Sequence, residues 1–347
     1  MTTAEQAFRN LNRTEDVSRP RNPAGRHWVN EILFTVAMVG ILYGVARGID
    51  WAVHRSGAEF TLGRGFSTVL LYSILPLPIV SLFGRLVPSV GPSKSLATWF
   101  LNIRIGIFDQ FATALAAAVA GICVVLFCHL IHFGPGLIDL RFAGVASIPG
   151  IAGAFLLSSL IGDLFFYLYH RVMHTWFFWQ VHKLHHMDEE LDVLTSKRDS
   201  LLDAFIATAL MQVPMTILFK LHHFGALRAG VVLALYSTLH NCFIHSNTRI
   251  GLGKLSFLYV SPQFHRIHHS RLEKHYDKNL TASFPIWDVL FGTYYAPARD
   301  EYPPTGVEGE SSIRSVIQFQ LVPLREWRKM YLEWRSEKIE LGGAMHS

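Results

Sequence analysis

The stretch Asp163-Leu164-Phe165-Phe166-Tyr167-Leu168-Tyr169-His170-Arg171-Val172-Met173-His174 closes an apolar run that opens at Ile148 and ends it in histidine. Helix positions i, i+7 and i+11 lie on one stripe, so Asp163, His170 and His174 face the same way where the helix leaves the apolar phase. Shortly afterwards the chain reads His182-Lys183-Leu184-His185-His186, and a second copy follows at His265-Arg266-Ile267-His268-His269. Residues three and four apart share a helix face, so each copy presents three imidazoles together. Neutral imidazole is a good ligand for iron, zinc or copper, and its lone pair is available at pH 7. These segments read as apolar helices capped by a metal site.

Composition supports the apolar half of that reading. Of 347 residues, 50% are hydrophobic and 16% charged, and the mean hydropathy is +0.28, which favours a membrane protein. Apolar stretches fall at Ile32–Ala46, at Phe66–Gly84 with Pro76 and Pro78 inside it, at Ile105–Phe133 with Asp109 as its only acid, and at Ile148–Tyr169. About twenty such residues cross a bilayer, so four spans are expected. Leu201–Phe219 and Ala226–His245 form a tight pair that is either two further spans or a buried hairpin. The expected fold class is therefore all-α, a polytopic membrane bundle of four to six spans. The first 31 residues are polar and carry no cleavage motif; Arg9, Arg13, Arg19, Arg21 and Arg26 place them in the cytoplasm. An even number of crossings then brings every histidine cluster to the cytoplasmic face.

The chain divides into a polar segment 1–31, transmembrane helices 32–147, a histidine-rich metal domain 148–297, and a C-terminal loop and amphipathic helix 298–347. In the last segment Leu324, Trp327, Tyr331, Trp334 and Lys338 repeat at helical spacing between Pro323 and Leu341. That stripe suits a helix lying either on a membrane surface or on the metal domain. The net charge of +5 and pI near 9.1 arise from basic residues beside apolar spans, which points to anionic headgroups rather than nucleic acid. Cys123, Cys128 and Cys242 sit in apolar segments without a CxxC pair, so neither a zinc knuckle nor a disulfide framework is indicated.

The ligand candidates are His170, His174, His182, His185, His186, His265, His268 and His269, joined by His245 at the end of the hairpin. Asn241 shares a face with His245 whereas His240 is turned away, and both are weaker candidates. Asp163, an acid inside an apolar span, needs a partner; it either hydrogen-bonds a ligand imidazole or plays a capping or structural part. His275 breaks the spacing of the second triplet and reads as a support to the ligands or as surface. His27, His54, His129, His132, His222 and His223 read as ordinary. Nine candidates exceed the four ligands of a tetrahedral zinc or the two of a bis-histidine haem, so two ions are expected. HExxH is absent, and so are the Glu-x-x-His pairs of the soluble carboxylate-bridged bundle.

In this order the motifs resemble the fatty acid hydroxylase / sterol desaturase superfamily of membrane di-iron enzymes. The flanking text is similar too: Asp163…Tyr169-His170-Arg171, Thr195-x-x-Arg198, His245-Ser246-Asn247, Ser261-Pro262, Asp277-Lys278-Asn279, and Trp287-Asp288 leading to Gly292-Thr293. The likeness covers about 160–295, making 148–297 a di-iron domain by resemblance, with Asp277 and Asn279 as further candidates to support the ligands. Leu280-Thr281 departs from the aromatic and glycine often found there. The resemblance implies two iron ions, O₂ as co-substrate, and oxidation of a C–H bond in a lipid such as a fatty acyl chain or sterol. Hydroxylation is favoured over desaturation. No GxGxxG after a strand, haem domain or iron–sulfur cysteine pattern is found, so an external electron donor is expected. The competing reading is a histidine-rich membrane metal transporter or sensor, whose ligands would be strung along a path through the spans. Metal content separates the two.

Overall fold

A computed structural model describes residues 90, 94–131, 138–139, 148–220, 236–308 and 313–344. The polar segment 1–31, the apolar stretches 32–46 and 66–84, and His27, His54, His132, His222 and His223 lie outside the described residues, as does 226–235 of the hairpin. The architecture is helical. Extended pairing among the described residues amounts to a two-residue parallel ladder, Ile138–Asp139 against Phe219–Lys220, and one bridge between Ser270 and Thr305.

Helix α1, Leu96–Leu130, is capped by the Ser95 hydroxyl, which accepts from the Thr98 N–H. At 35 residues it is about 52 Å long, well beyond the hydrocarbon thickness of a bilayer. It also starts earlier than the apolar stretch at Ile105, because its first turns belong to a protein core. There Leu101, Ile105, Phe108 and Phe111 pack with Leu184, Ala204, Val316 and Phe319. Toward its other end Leu126, Phe127 and Leu130 are exposed. Among the described residues, two helical stretches are long and apolar enough to cross a membrane, Leu96–Leu130 and Leu201–Leu218.

Helix α2, Ile148–Met173, extends the expected span by a further turn that carries His170. A tight turn leads into α3, Trp179–His186, all of which is buried from Gln180 onward. The stretch 201–218 is α4 (Leu201–Ala207), a π turn (Thr208–Gln212) and α5 (Val213–Leu218). Pro214 lacks the N–H that would close the regular ladder, and the wider π turn just before it takes up the slack. Residues 236–244 form α6, which ends at His245. Helix α7, Pro262–His268, begins with Ser261 as N-cap and Pro262 at its first position, a strong start signal that accounts for the Ser-Pro pair. Helix α8, Ile286–Phe291, stops at Gly292, whose φ of 77° is left-handed.

Helix α9 runs Val316–Ala344, beginning before Pro323 rather than at it. Buried Val316 and Phe319 anchor its first turns in the α1 core, and that packing outweighs the cost of one proline inside a helix. Lys183 pairs with Glu326 at 3.2 Å, and Trp327 stacks on Phe177 while its indole N–H donates to the Phe177 carbonyl. The near half of α9 thus lies on the metal domain, while Leu324, Tyr331 and Trp334 remain exposed.

Candidate metal centre

The histidines fall into two groups of converging ring nitrogens. His170, His174, His182, His186 and His268 form one; His185, His245, His265 and His269 form the other. The first group mixes donors from α2 and the turn after it, α3 and α7, the second from α3, the end of α6 and α7, and each HxxHH triplet divides between the two groups. Within the first group, Nε2 of His170 and His182 are 2.9 Å apart. Within the second, Nε2 of His245 is 3.1 Å from His185 and 2.9 Å from His265, and His269 is 3.1 Å from His265. A metal–nitrogen bond of about 2.1 Å with neighbouring ligands near a right angle sets nitrogens about 3 Å apart. The observed spacings match that edge. Nε2 of His174, His186 and His268 are buried with no hydrogen-bond partner, an arrangement that a cation would satisfy. The donor set therefore fits two imidazole-bound transition-metal ions.

Backbone acceptors fix which nitrogen is free. His170 Nδ1 donates to the Leu280 carbonyl at 2.6 Å, His268 Nδ1 to the Lys278 carbonyl at 3.0 Å, and His174 Nδ1 faces the Asp277 carboxylate at 3.1 Å. His245 Nδ1 donates to the Asn241 carbonyl one turn back. Each such bond leaves the Nε2 lone pair for a metal. Burial holds His170, His182, His185, His186, His265, His268 and His269 well below the usual imidazole range, and neighbouring imidazoles add to it. They are neutral and able to ligate at pH 7.

The 277–284 loop shapes this site. Asp277 and Asn279 both have φ of 58°, a left-handed conformation that Asp and Asn tolerate better than most residues. The alternation turns the Lys278 and Leu280 carbonyls toward the histidines. Two carboxylates then bind five consecutive N–H groups. Asp288 takes Leu280 and Thr281, and Asp163 takes Ala282, Ser283 and Phe284. Asp163 therefore reaches the metal group through this loop and not by the imidazole bond given above as one alternative. Asn279 likewise bonds the backbone of Phe264 and Tyr295. At the Leu280-Thr281 departure, the Thr281 hydroxyl adds a further bond to Asp288 at 2.5 Å.

His240 and Asn241 fall outside both groups. His240 Nε2 donates to the Ala282 carbonyl and its Nδ1 accepts from Tyr259. His275 bonds Ser270 and Glu301 and bridges two loops. The Thr195-x-x-Arg198 element is a latch. The Thr195 hydroxyl donates to Asp188 at 2.6 Å, while Arg198 donates to Asn102 on α1 and to the Leu184 carbonyl on α3. Lys94 joins it with a buried pair to Asp188 at 2.7 Å.

A cavity of about 460 Å³ reaches both groups, touching His170 and His182 of the first and His185, His245 and His265 of the second. Its other walls include Phe166, Met211, Met215 and Ile244, and it extends along α2 to Ser158. Twelve residues of helix separate Ser158 from His170, a depth of about 18 Å. Met211, which lines this space, lies in the π turn.

Residues 155–293 match the family model described as fatty acid hydroxylase, which takes in every histidine of both groups. The chain carries a fatty acid hydroxylase domain. It is 28% identical to an ornithine lipid hydroxylase of Rhizobium tropici over 86% of this chain and 91% of that protein. The chain is also similar to alkylglycerol monooxygenases: 30% identical in Caenorhabditis elegans over 45% of this chain, and 28% in Homo sapiens over 40%. Each of those matches spans 30% of the relative's length. No solved structure matches the chain. These relatives are hydroxylases and monooxygenases, and the likeness supports an oxidoreductase.

Proposed function

We propose that the chain is an integral membrane, O₂-dependent hydroxylase that uses two iron ions to oxidise a C–H bond of a membrane lipid. The observation that carries this reading is the convergence of nine imidazoles into two buried groups at one end of an apolar cavity. His170, His174, His182, His186 and His268 would hold one ion, and His185, His245, His265 and His269 the other. Iron supplies the redox chemistry that activates O₂; zinc on the same ligands could not. The chain's own part is placement. The Leu280, Lys278 and Asn241 carbonyls hold ring tautomers, Phe166, Met211, Met215 and Ile244 seat an apolar chain, and the cavity keeps water from the reacting carbon.

Nearly end-to-end similarity to an ornithine lipid hydroxylase supports an acyl-chain membrane lipid over a sterol, and hydroxylation over desaturation. A transporter needs ligands strung along a path, whereas these gather in one place. The basic N-terminal segment and an even number of spans, four to six, put the site on the cytoplasmic face, where an external redox protein supplies electrons. In this scheme 32–147 anchors the domain at 148–297, and 298–347 braces it. The test is purified protein with a reducing system, lipid extract and ¹⁸O₂. One labelled oxygen in a lipid product is expected; an unlabelled alkene, or no lipid oxidation by iron-loaded protein, defeats the reading.

A further inference from the structure

His170, His174, His245 and His268 each have an acceptor at Nδ1, but the buried Nδ1 atoms of His182, His185, His265 and His269 have no hydrogen-bond partner. Two of these four, His182 and His185, face a carboxylate. Asp203 Oδ2 lies 3.6 Å from His182 Nδ1, and Asp199 Oδ1 lies 3.7 Å from His185 Nδ1. The facing oxygen of Asp203 is itself buried without a partner. Two unpaired polar atoms opposed a few tenths of an ångström beyond bonding distance are costly apart and gain by closing.

The register is orderly. On α3 the two histidines are three residues apart, and the two aspartates are four apart at the start of α4. The segments run antiparallel, so the later acid meets the earlier histidine. His182 belongs to the five-histidine group and His185 to the four-histidine group, so each group receives one acid. Asp203 is firmly held: Tyr169 donates to its other oxygen, and its N–H donates to the Ser200 hydroxyl. Asp199 is looser, with a side chain 32% exposed against 3% for Asp203, and it lines the cavity. Charge gives the reason for the pairing. Nine neutral imidazoles bring no negative charge to two buried cations, and a buried cation needs compensation.

We propose that Asp203 and Asp199 are the positioning residues of the two metal ions, accepting the Nδ1 protons of His182 and His185 when those rings close onto metal. This rests on the two-ion reading above. Each carboxylate fixes its ring with Nε2 toward the ion, strengthens that nitrogen as a donor, and offsets part of the ion's charge.

The test uses the full chain in detergent, loaded with iron, comparing wild type with Asp203→Asn, which keeps an acceptor for Tyr169, and Asp199→Ala. Iron content is measured by elemental analysis, and iron loss to excess chelator is followed alongside the thermal midpoint. Each variant is expected to lose one of its two ions roughly 10- to 100-fold faster than wild type, with the other ion unaffected. If Asp203→Asn does not fold, the half-exposed Asp199 decides the matter through the second ion alone. Wild type that binds no iron overturns the two-ion reading and this assignment with it. Wild type with two ions, and variants that release both at its rate, overturns the carboxylate assignment by itself.

Discussion

Replacing Asp163 with Ala removes a carboxylate that accepts the N–H groups of Ala282, Ser283 and Phe284 at 3.1, 2.9 and 2.8 Å. Hydrogen bonds to a charged group contribute about 1.5–3 kcal/mol each, so the three are worth roughly 5–9 kcal/mol before other costs. The buried carboxylate loses its own hydration, which takes back several kcal/mol, and a net loss of about 3–5 kcal/mol remains. At about 2 °C per kcal/mol for a chain of this size, the thermal midpoint should fall by about 6–10 °C. The damage also has an address. The freed loop carries the Leu280 carbonyl that holds His170, so iron release from the first group should quicken while the second group holds. Asp163→Asn is a finer probe. It keeps an oxygen for Ala282 and Ser283 but turns an amide NH₂ toward the Phe284 N–H, and should cost about half as much. The assay is fluorescence-monitored unfolding in detergent with iron release to a chelator in parallel. A midpoint within 2 °C of wild type and unchanged iron retention would refute the claim that this acid anchors the ligand loop.

Four further outcomes are expected. His185→Ala and His268→Ala belong to different groups, so each should abolish lipid oxidation and lower the iron content by at least one ion, and a wild-type content of one ion or none contradicts the two-site arrangement. The buried histidines have folded-state pKa values below the unfolded value of about 6.5. Above that pH both states are neutral and no linkage arises; below it the unfolded chain binds protons that the folded chain refuses. The thermal midpoint of iron-free protein should thus fall between pH 7.5 and 5.5, each group adding up to ~1.4 kcal/mol per pH unit, and a flat profile would contradict neutral burial. Asp300 is exposed whereas Ser196 is buried, so a cysteine at 300 is the better reporter of sidedness; it should resist an impermeant reagent in intact cells, and ready labelling would reverse the topology. Gly162 lines the cavity with nothing within 4 Å of an added Cβ, so Gly162→Phe should raise KM for lipid severalfold with iron content unchanged, and wild-type kinetics would show that lipid binds elsewhere.

The histidine spacing singled out eight of the nine residues of the two groups, because i, i+3 and i+4 periodicity is a local property that a sequence displays directly, and His245 was added from its place at the end of the apolar hairpin. The same holds for the apolar character of α1 and α2. Spacing did not reveal how the triplets divide. His182 and His186 join His268, while His185 joins His265 and His269, because α3 and α7 meet face to face, and only packing sets which turn of one helix opposes which turn of the other. The supports of the ligands were equally out of reach. The acceptors for His170 and His268 are backbone carbonyls, which every residue possesses; the sole local hint was the Asp277 and Asn279 pair, residue types that tolerate a left-handed turn. Asp163 illustrates the limit most clearly. Sequence showed an acid in an apolar span that needed a partner, and the tertiary structure chose three backbone amides more than a hundred residues away. A carboxylate buried among apolar side chains takes whichever donors the folded chain leaves unpaired, and that choice is made only when distant segments meet.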